Sequence, residues 1–257
     1  ALRTAAAALA DPVQFSSFAT TSSDSAVVPT VSGAPAVGAY DVLVDAIATE
    51  QRTYSNTQSS STSDLGMSGS VSVQVGSGTS FDVAVETGDS LSEIASKINK
   101  SGARVSASVL YDGTDYRIQV RGLDTGEANA VTLTETGTAL GLDDPANIFQ
   151  KAQNAKLHVD GIEVQRSTNQ IVGVIPGVTF AVTKKTASAA TISVASDPAA
   201  LATKINAFVK AYNDVVTAGH NAAGYGQTSA SNATLAGDAS IRTMLDKLQR
   251  VIGSPVA

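Results

Sequence analysis

Polar and apolar residues alternate one by one through much of this chain, and that period admits few folds. "SVSVQVG", "SFDVAVET", "ARVSASVLY", "DYRIQVRG" and "AVTLTET" each place an apolar side chain at every second position. Side chains along a strand point to opposite faces in turn, so such runs fit sheets with one buried face. Turn residues stand between them: Gly76 to Thr79, Asp112-Gly113-Thr114, and Asp160-Gly161 between "AKLHV" and "IEVQR". Asp-Gly is the strongest of these signals, because a two-residue hairpin turn requires positive φ at both positions. "GVTFAVTKK" and "ATISVAS" are expected to continue the same sheet.

One helix interrupts the strands. In "DSLSEIASKINKSG", Ser90 and Glu93 fit a capping box, Leu91, Ile94, Ala95 and Ile98 form an apolar stripe, and Gly102 ends the helix. Earlier, "AYDVLVDAIATEQRTYS" puts Tyr40, Val42, Val44, Ala46 and Ala48 on one face, with Leu43 and Ile47 opposite. Residues 39–55 cannot make a sheet alone. The segment 151–195 can supply partners, which implies one β domain inserted into another. Residues 16–38 and "NTQSSSTSDLGMSG" read as connectors.

Helices bracket the whole. Residues 1–10 read as a short helix with Leu2, Ala5, Ala6 and Leu9 on one side, stopped by Asp11-Pro12. "DPAALATKINAFVKAYNDVV" starts on Ser196 or Asp197 as cap with Pro198 in the first turn. Its apolar residues Leu201, Ile205, Phe208, Tyr212 and Val215 recur at spacings of four and three. A last helix, capped by Asp238, carries Ile241, Leu245, Leu248 and Ile252. Ordering twenty residues costs about 1–2 kcal/mol each, and side chains that stay wet return nothing against it. The stripe therefore needs cover from these helices or from another subunit.

Catalytic chemistry finds little support. The chain has no cysteine, which excludes thiolate metal sites and disulfides. Its two histidines read as a solvent-facing strand residue, His158, and a helix-end residue, His220. Asp143-Asp144 before Pro145 suits a turn. A net charge of −6 with scattered Lys and Arg argues against nucleic acid, and no apolar run is long enough to insert in a membrane. Neither a metal nor any other cofactor is expected, and the chain is read as non-enzymatic. Both ends read as cut.

"FDVAVETGDSLSEIASKINKSGARVSASVLYDGTDYRIQVRG" resembles a module shared by flagellins and the flagellar filament cap family, also called hook-associated protein 2. "AQNAKLHVDGIEVQRSTNQIVGVIPGVTFAVTKK", then "TISVASDPAALATKINAFVKAYNDVV" and "LAGDASIRTML", resemble that family's β domain passing into its helical domain. The resemblance implies an α+β, mainly β fold: two nested β-rich domains, the outer inserted into the middle one, on a discontinuous helical leg. Residues 1–37 would be the N-terminal helix and connector of the leg, 38–66 with 151–195 the middle domain, 67–150 the outer domain, and 196–257 the rest of the leg. Copies would form a ring-like homo-oligomer at the distal tip of an extracellular flagellum, exported by the flagellar apparatus without a cleaved signal. Flagellin, which it would help to fold and incorporate, and the hook–filament junction protein would be its partners. The leg's packing or oligomer interface would use Leu201, Ile205, Phe208, Tyr212, Val215, Ile241, Leu245 and Leu248. A second reading is an adhesin that binds host mucin or glycans through Phe81, Tyr111, Tyr116 and Phe149 of the outer domain.

Overall fold

The computed structural model describes residues 1–10, 17–223 and 239–253. The Asp11-Pro12 stop, the Asp238 cap and the Ile252 side chain lie outside the described residues. Two compact units result, one of residues 1–19 with 195–257 and one of residues 20–194.

The larger unit is built on the alternating runs. A five-stranded sheet has the order β1 (Phe18–Ser22), β15 (Ala190–Ser196), β3 (Gly38–Ala46), β11 (Ala155–Val159), β12 (Ile162–Arg166). Here β3 pairs antiparallel with both β11 and β15, so chain from both sides of residues 67–150 shares one sheet. Val42, Val44, Leu157 and Ile192 are fully buried on its inner face. Asp160 (φ 48°) and Gly161 (φ 82°) make the tight turn between β11 and β12. A separate three-stranded sheet has the order β13 (Gln170–Ile175), β14 (Val178–Val182), β2 (Val27–Val31). "GVTFAVTKK" therefore does not continue the sheet of 155–166, as expected, but pairs with β13 and β2.

Residues 69–136 and their neighbours form two further sheets around one helix. One has the order β6 (Ser80–Val85), β5 (Gly69–Val75), β9 (Val131–Thr136). The other has β10 (Ile148–Gln150), β4 (Arg52–Tyr54), β8 (Tyr116–Gly122), β7 (Val105–Tyr111). The helix is α2 (Leu91–Lys100), numbered after α1 (Leu2–Ala10) of the smaller unit. Its capping box is formed: the Ser90 hydroxyl accepts from the Glu93 N–H, and the Glu93 carboxylate accepts from the Ser90 N–H at 2.9 Å. Leu91, Ile94, Ala95 and Ile98 are buried with Val71, Val83, Ile118, Val120, Leu140 and Leu142. Gly102 stands at φ 92°, as a helix-ending glycine should.

Three expectations need correcting. The connector at 16–38 contains β1 and β2, whose Thr-rich or Pro-containing sequences lack a strong alternating signal. Pro29 is accommodated because β2 lies at a sheet edge, where a missing N–H breaks no ladder. Residues 52–54 pair with β8 and β10 and not with the expected segment 151–195, because the chain leaves the first sheet after Ala46. On α1, Leu2, Ala5, Ala8 and Leu9 are half-buried while Ala6 is exposed.

Candidate functional site

The smaller unit holds the residues expected to serve assembly. Helix α3 (Pro198–Ala223) begins on Asp197, whose carboxylate accepts from the Ala200 N–H at 2.9 Å. Asp197 also donates its own N–H to the Ser17 carbonyl at 2.8 Å, and Lys204 Nζ reaches Ser17 Oγ at 3.1 Å. Helix α1 packs along α3, and α4 (Ala239–Gly253) packs on it as well. Gly219 makes the second contact close: a methyl there would stand 3.1 Å from Leu245 Cδ1.

The eight expected residues divide between inside and outside. Leu245 is 3% exposed, whereas Leu201, Phe208, Tyr212, Val215, Ile241 and Leu248 are half-buried. Ile205 is 42% exposed. The covered line runs through Leu201, Lys204, Phe208, Ala211, Val215 and Gly219, and among the described residues of α3 Ala211 and Gly219 are the buried ones. Ile205 instead belongs to a neighbouring exposed row with Val209 (47%), while Met244 (51%) is exposed on α4. The apolar spacing in the sequence spans both rows. Small residues mark the inner one, and the Ala211–Val215–Gly219 spacing of four was the signal available for it.

The histidines differ from each other. His158 lies on the outward face of β11, as expected, and its Nδ1 also stands 2.9 Å from Asp45 Oδ2, a pairing that sequence did not disclose. Strand β3 positions Asp45 there, because Leu43 lies directly opposite His158 in the register. His220 is in the last turn of α3. Asp144 works as a turn residue, accepting from the Ala146 N–H at 2.8 Å. Among the described residues no three His, Asp or Glu side chains are placed to hold a metal, and no helix is long and apolar enough to cross a membrane.

The four aromatics named for glycan binding do not form one platform. Tyr111 and Tyr116 stack on each other at 4.7 Å across the hairpin, and the Tyr111 hydroxyl donates to the Gly113 carbonyl. Phe81 lines a cavity of about 330 Å³ with Arg104 and Asp124, which are joined to each other by two hydrogen bonds of 2.6 and 2.8 Å. Phe149 sits elsewhere, edge-on to Tyr54 at 5.7 Å.

Residues 152–257 match the family model for the flagellar hook-associated protein 2 C-terminus, and residues 60–124 match that for the flagellin hook IN motif. Flagellar hook-associated protein 2 of Escherichia coli K12 is 30% identical over 278 residues, covering 99% of this chain and 59% of that protein. The chain belongs to the flagellar hook-associated protein 2 family. The relative from Salmonella typhimurium is 28% identical over 181 residues, which cover 64% of this chain and 38% of that one. The chain thus spans roughly half the length of these family members. A crystal structure of the Escherichia coli flagellar cap protein FliD, domains D1-D2-D3, superposes with a TM-score of 0.83 at 28% identity, covering all of this chain and 74% of that one.

Within this hook-associated protein 2 chain the two matches fall on different elements. The hook IN match takes in β5, β6, α2, β7 and β8, and the C-terminal match takes in β11 to β15 and both later helices. The α+β, mainly β fold that the resemblance implied is the fold of this chain, and it matches that solved relative.

Proposed function

We propose that this chain is part of a non-enzymatic cap at the distal tip of the bacterial flagellar filament, where copies assemble as a ring and help exported flagellin to fold and join. The observation that carries this reading is the helical unit. Its α3 keeps Leu201, Phe208 and Val215 half-covered by its own partners while Ile205 and Val209 face outward, as a leg that meets other chains requires. Likeness to a solved flagellar cap protein over the full chain supports it.

On this reading residues 67–150, joined by the Arg52–Tyr54 strand that pairs with β8 and β10, form an outer domain inserted in the middle one, and the leg is discontinuous, built from both ends of the chain. Leu201, Phe208, Val215 and Leu245 hold the leg together, while Ile205, Val209 and Met244 are its contacts with neighbours. Flagellin is the partner beneath the cap, the junction protein a neighbour before the filament grows, and export uses the flagellar channel. No cofactor is involved.

The test is complementation. A strain without its own cap protein leaks flagellin as monomer. Supplying the gene that encodes this chain should restore filaments, and Ile205→Glu with Val209→Glu should abolish them without unfolding the protein. Flagellin that still leaks when the unaltered protein is exported would overturn the reading.

A further inference from the structure

The outward face of the β10-β4-β8-β7 sheet is basic and aromatic in a chain that is acidic as a whole. The register puts Arg52 opposite Arg121 and Tyr54 opposite Gln119, with Leu110 opposite Arg117, all on the face away from buried Thr53, Val120 and Ile118. Glu50 is the acid at this face, and both Nε and Nη2 of Arg52 bond one of its oxygens, at 3.0 and 2.6 Å. Among the described residues the guanidinium groups of Arg117 and Arg121 make no direct hydrogen bond, and their charges are felt at longer range by Asp112 and Glu50 respectively, so neither is locked to a carboxylate. Phe149 projects from the same face, 72% exposed and propped edge-on by Tyr54.

The five-stranded sheet presents the opposite character. Its outward face carries Asp41, Asp45 and Glu163, with Asp160 at the rim, against one ammonium, Lys156, which is 3.3 Å from Glu163. Asp41 accepts from the Thr191 hydroxyl at 2.9 Å, and its N–H donates to Asp160 Oδ1 at 2.8 Å, so these carboxylates are held in place. Between them opens a cavity of about 340 Å³ lined by Asp41, Leu43, His158, Gly161 and Ala189.

We infer that these two faces are the halves of one head-to-tail interface between copies of this chain, with Phe149 of one copy seated in the cavity beside Leu43 and Ala189 of the next. Three observations agree. The charges are complementary, the aromatic knob lies among the cations, and the hole lies among the carboxylates. Since knob and hole are different surfaces of the same chain, each copy can engage two neighbours, and such an interface closes into a ring or propagates. A buried aromatic anchor supplies most of the affinity, while the charges set orientation and encounter rate. The inference rests on the reading of the protein as a homo-oligomer, and it specifies the β-sheet surfaces that would join.

Sedimentation equilibrium of the chain across concentration and salt is the test. Association should weaken with added salt, and Phe149→Ala should raise the dissociation constant by about tenfold or more. Arg121→Glu should do the same, and mixing it with a Glu163→Arg copy should restore association. Ala189→Trp, which fills the hole from an exposed position, should also weaken it. Circular dichroism should be unchanged for all four, since the replaced side chains are exposed. Association that none of the four alters, or a wild-type chain that stays monomeric up to about 1 mM, would overturn this interface. Filament restoration by Phe149→Ala in the capless strain separates the two ideas. Normal filaments would remove the interface and leave the cap reading standing.

Discussion

Gly219 is the residue at which side-chain size sets how closely two helices approach. Its Cα faces Leu245, and an added methyl would meet that side chain at 3.1 to 3.2 Å. Gly219→Ala gains about 1 kcal/mol of helix propensity and loses a similar amount to the tight contact, so thermal melting should barely move. Gly219→Leu cannot be accommodated, and near-ultraviolet or proteolytic probes should show α4 released from α3. Asp89 gives a different kind of prediction. Burial pushes its carboxyl up, but the Glu86 N–H at 2.7 Å and the Lys97 ammonium at 2.6 Å outweigh that and hold it below the ordinary 3.8. Its folded-state affinity for a proton is thus lower than in the unfolded chain. The stability it contributes is fully present above pH 3.8 and is lost as pH falls through the depressed folded value. Asp89→Asn should cost about 1–3 kcal/mol near neutral pH and flatten the acid limb of Tm against pH. Neither role was written in the sequence: that of Gly219 depends on Leu245 arriving opposite it, and that of Asp89 on how the turn before α2 folds back onto Glu86 and Lys97.

At the scale of elements, the clearest signals were the ones with a local cause. The capping box of α2 needs only Ser90 and Glu93 three residues apart, and it forms as read. Ser90→Ala should cost about 1 kcal/mol in denaturant unfolding, and Ile94→Ala, at a fully buried position, about 2–5 kcal/mol. The Asp160-Gly161 turn was legible for the same reason, since its geometry is set by two adjacent residues. Strands β1, β2, β4 and β10 were not legible. They are short, and their partners lie up to about 170 residues away, so register and not local pattern decides them. The edge of β7 shows how such pairing is ended: Asn99 accepts the Ala107 N–H at 2.8 Å and donates to its carbonyl at 2.7 Å. A side-chain amide thereby stands where another strand would pair. Asn99→Ala should uncover that edge and raise aggregation on heating, measured by light scattering. For α3, apolar periodicity located the helix but merged two rows, because Leu201 and Ile205 are equally greasy and only the small residues Ala211 and Gly219 tell which row is inside.

Across the whole molecule, the surfaces left outside differ more in character than the cores that hold each unit together. Alternation predicted sheets, and sheets of this kind bury one face and expose the other. The exposed faces here are unlike: one gathers Arg52, Arg117 and Arg121 around Phe149, and the other gathers Asp41, Asp45 and Glu163 around a hole. Composition gave only the net charge of −6, which is an average over these opposites. The helical unit adds an apolar row at Ile205 and Val209. Two unlike exposed faces and an exposed apolar row are the features that the proposed assembly role would use. The most direct measurement is to label this protein and image filaments of cells that depend on it, by electron microscopy. The account predicts label at one point, the distal end of each filament. Label spread along the filament, or confined to its base, would contradict it.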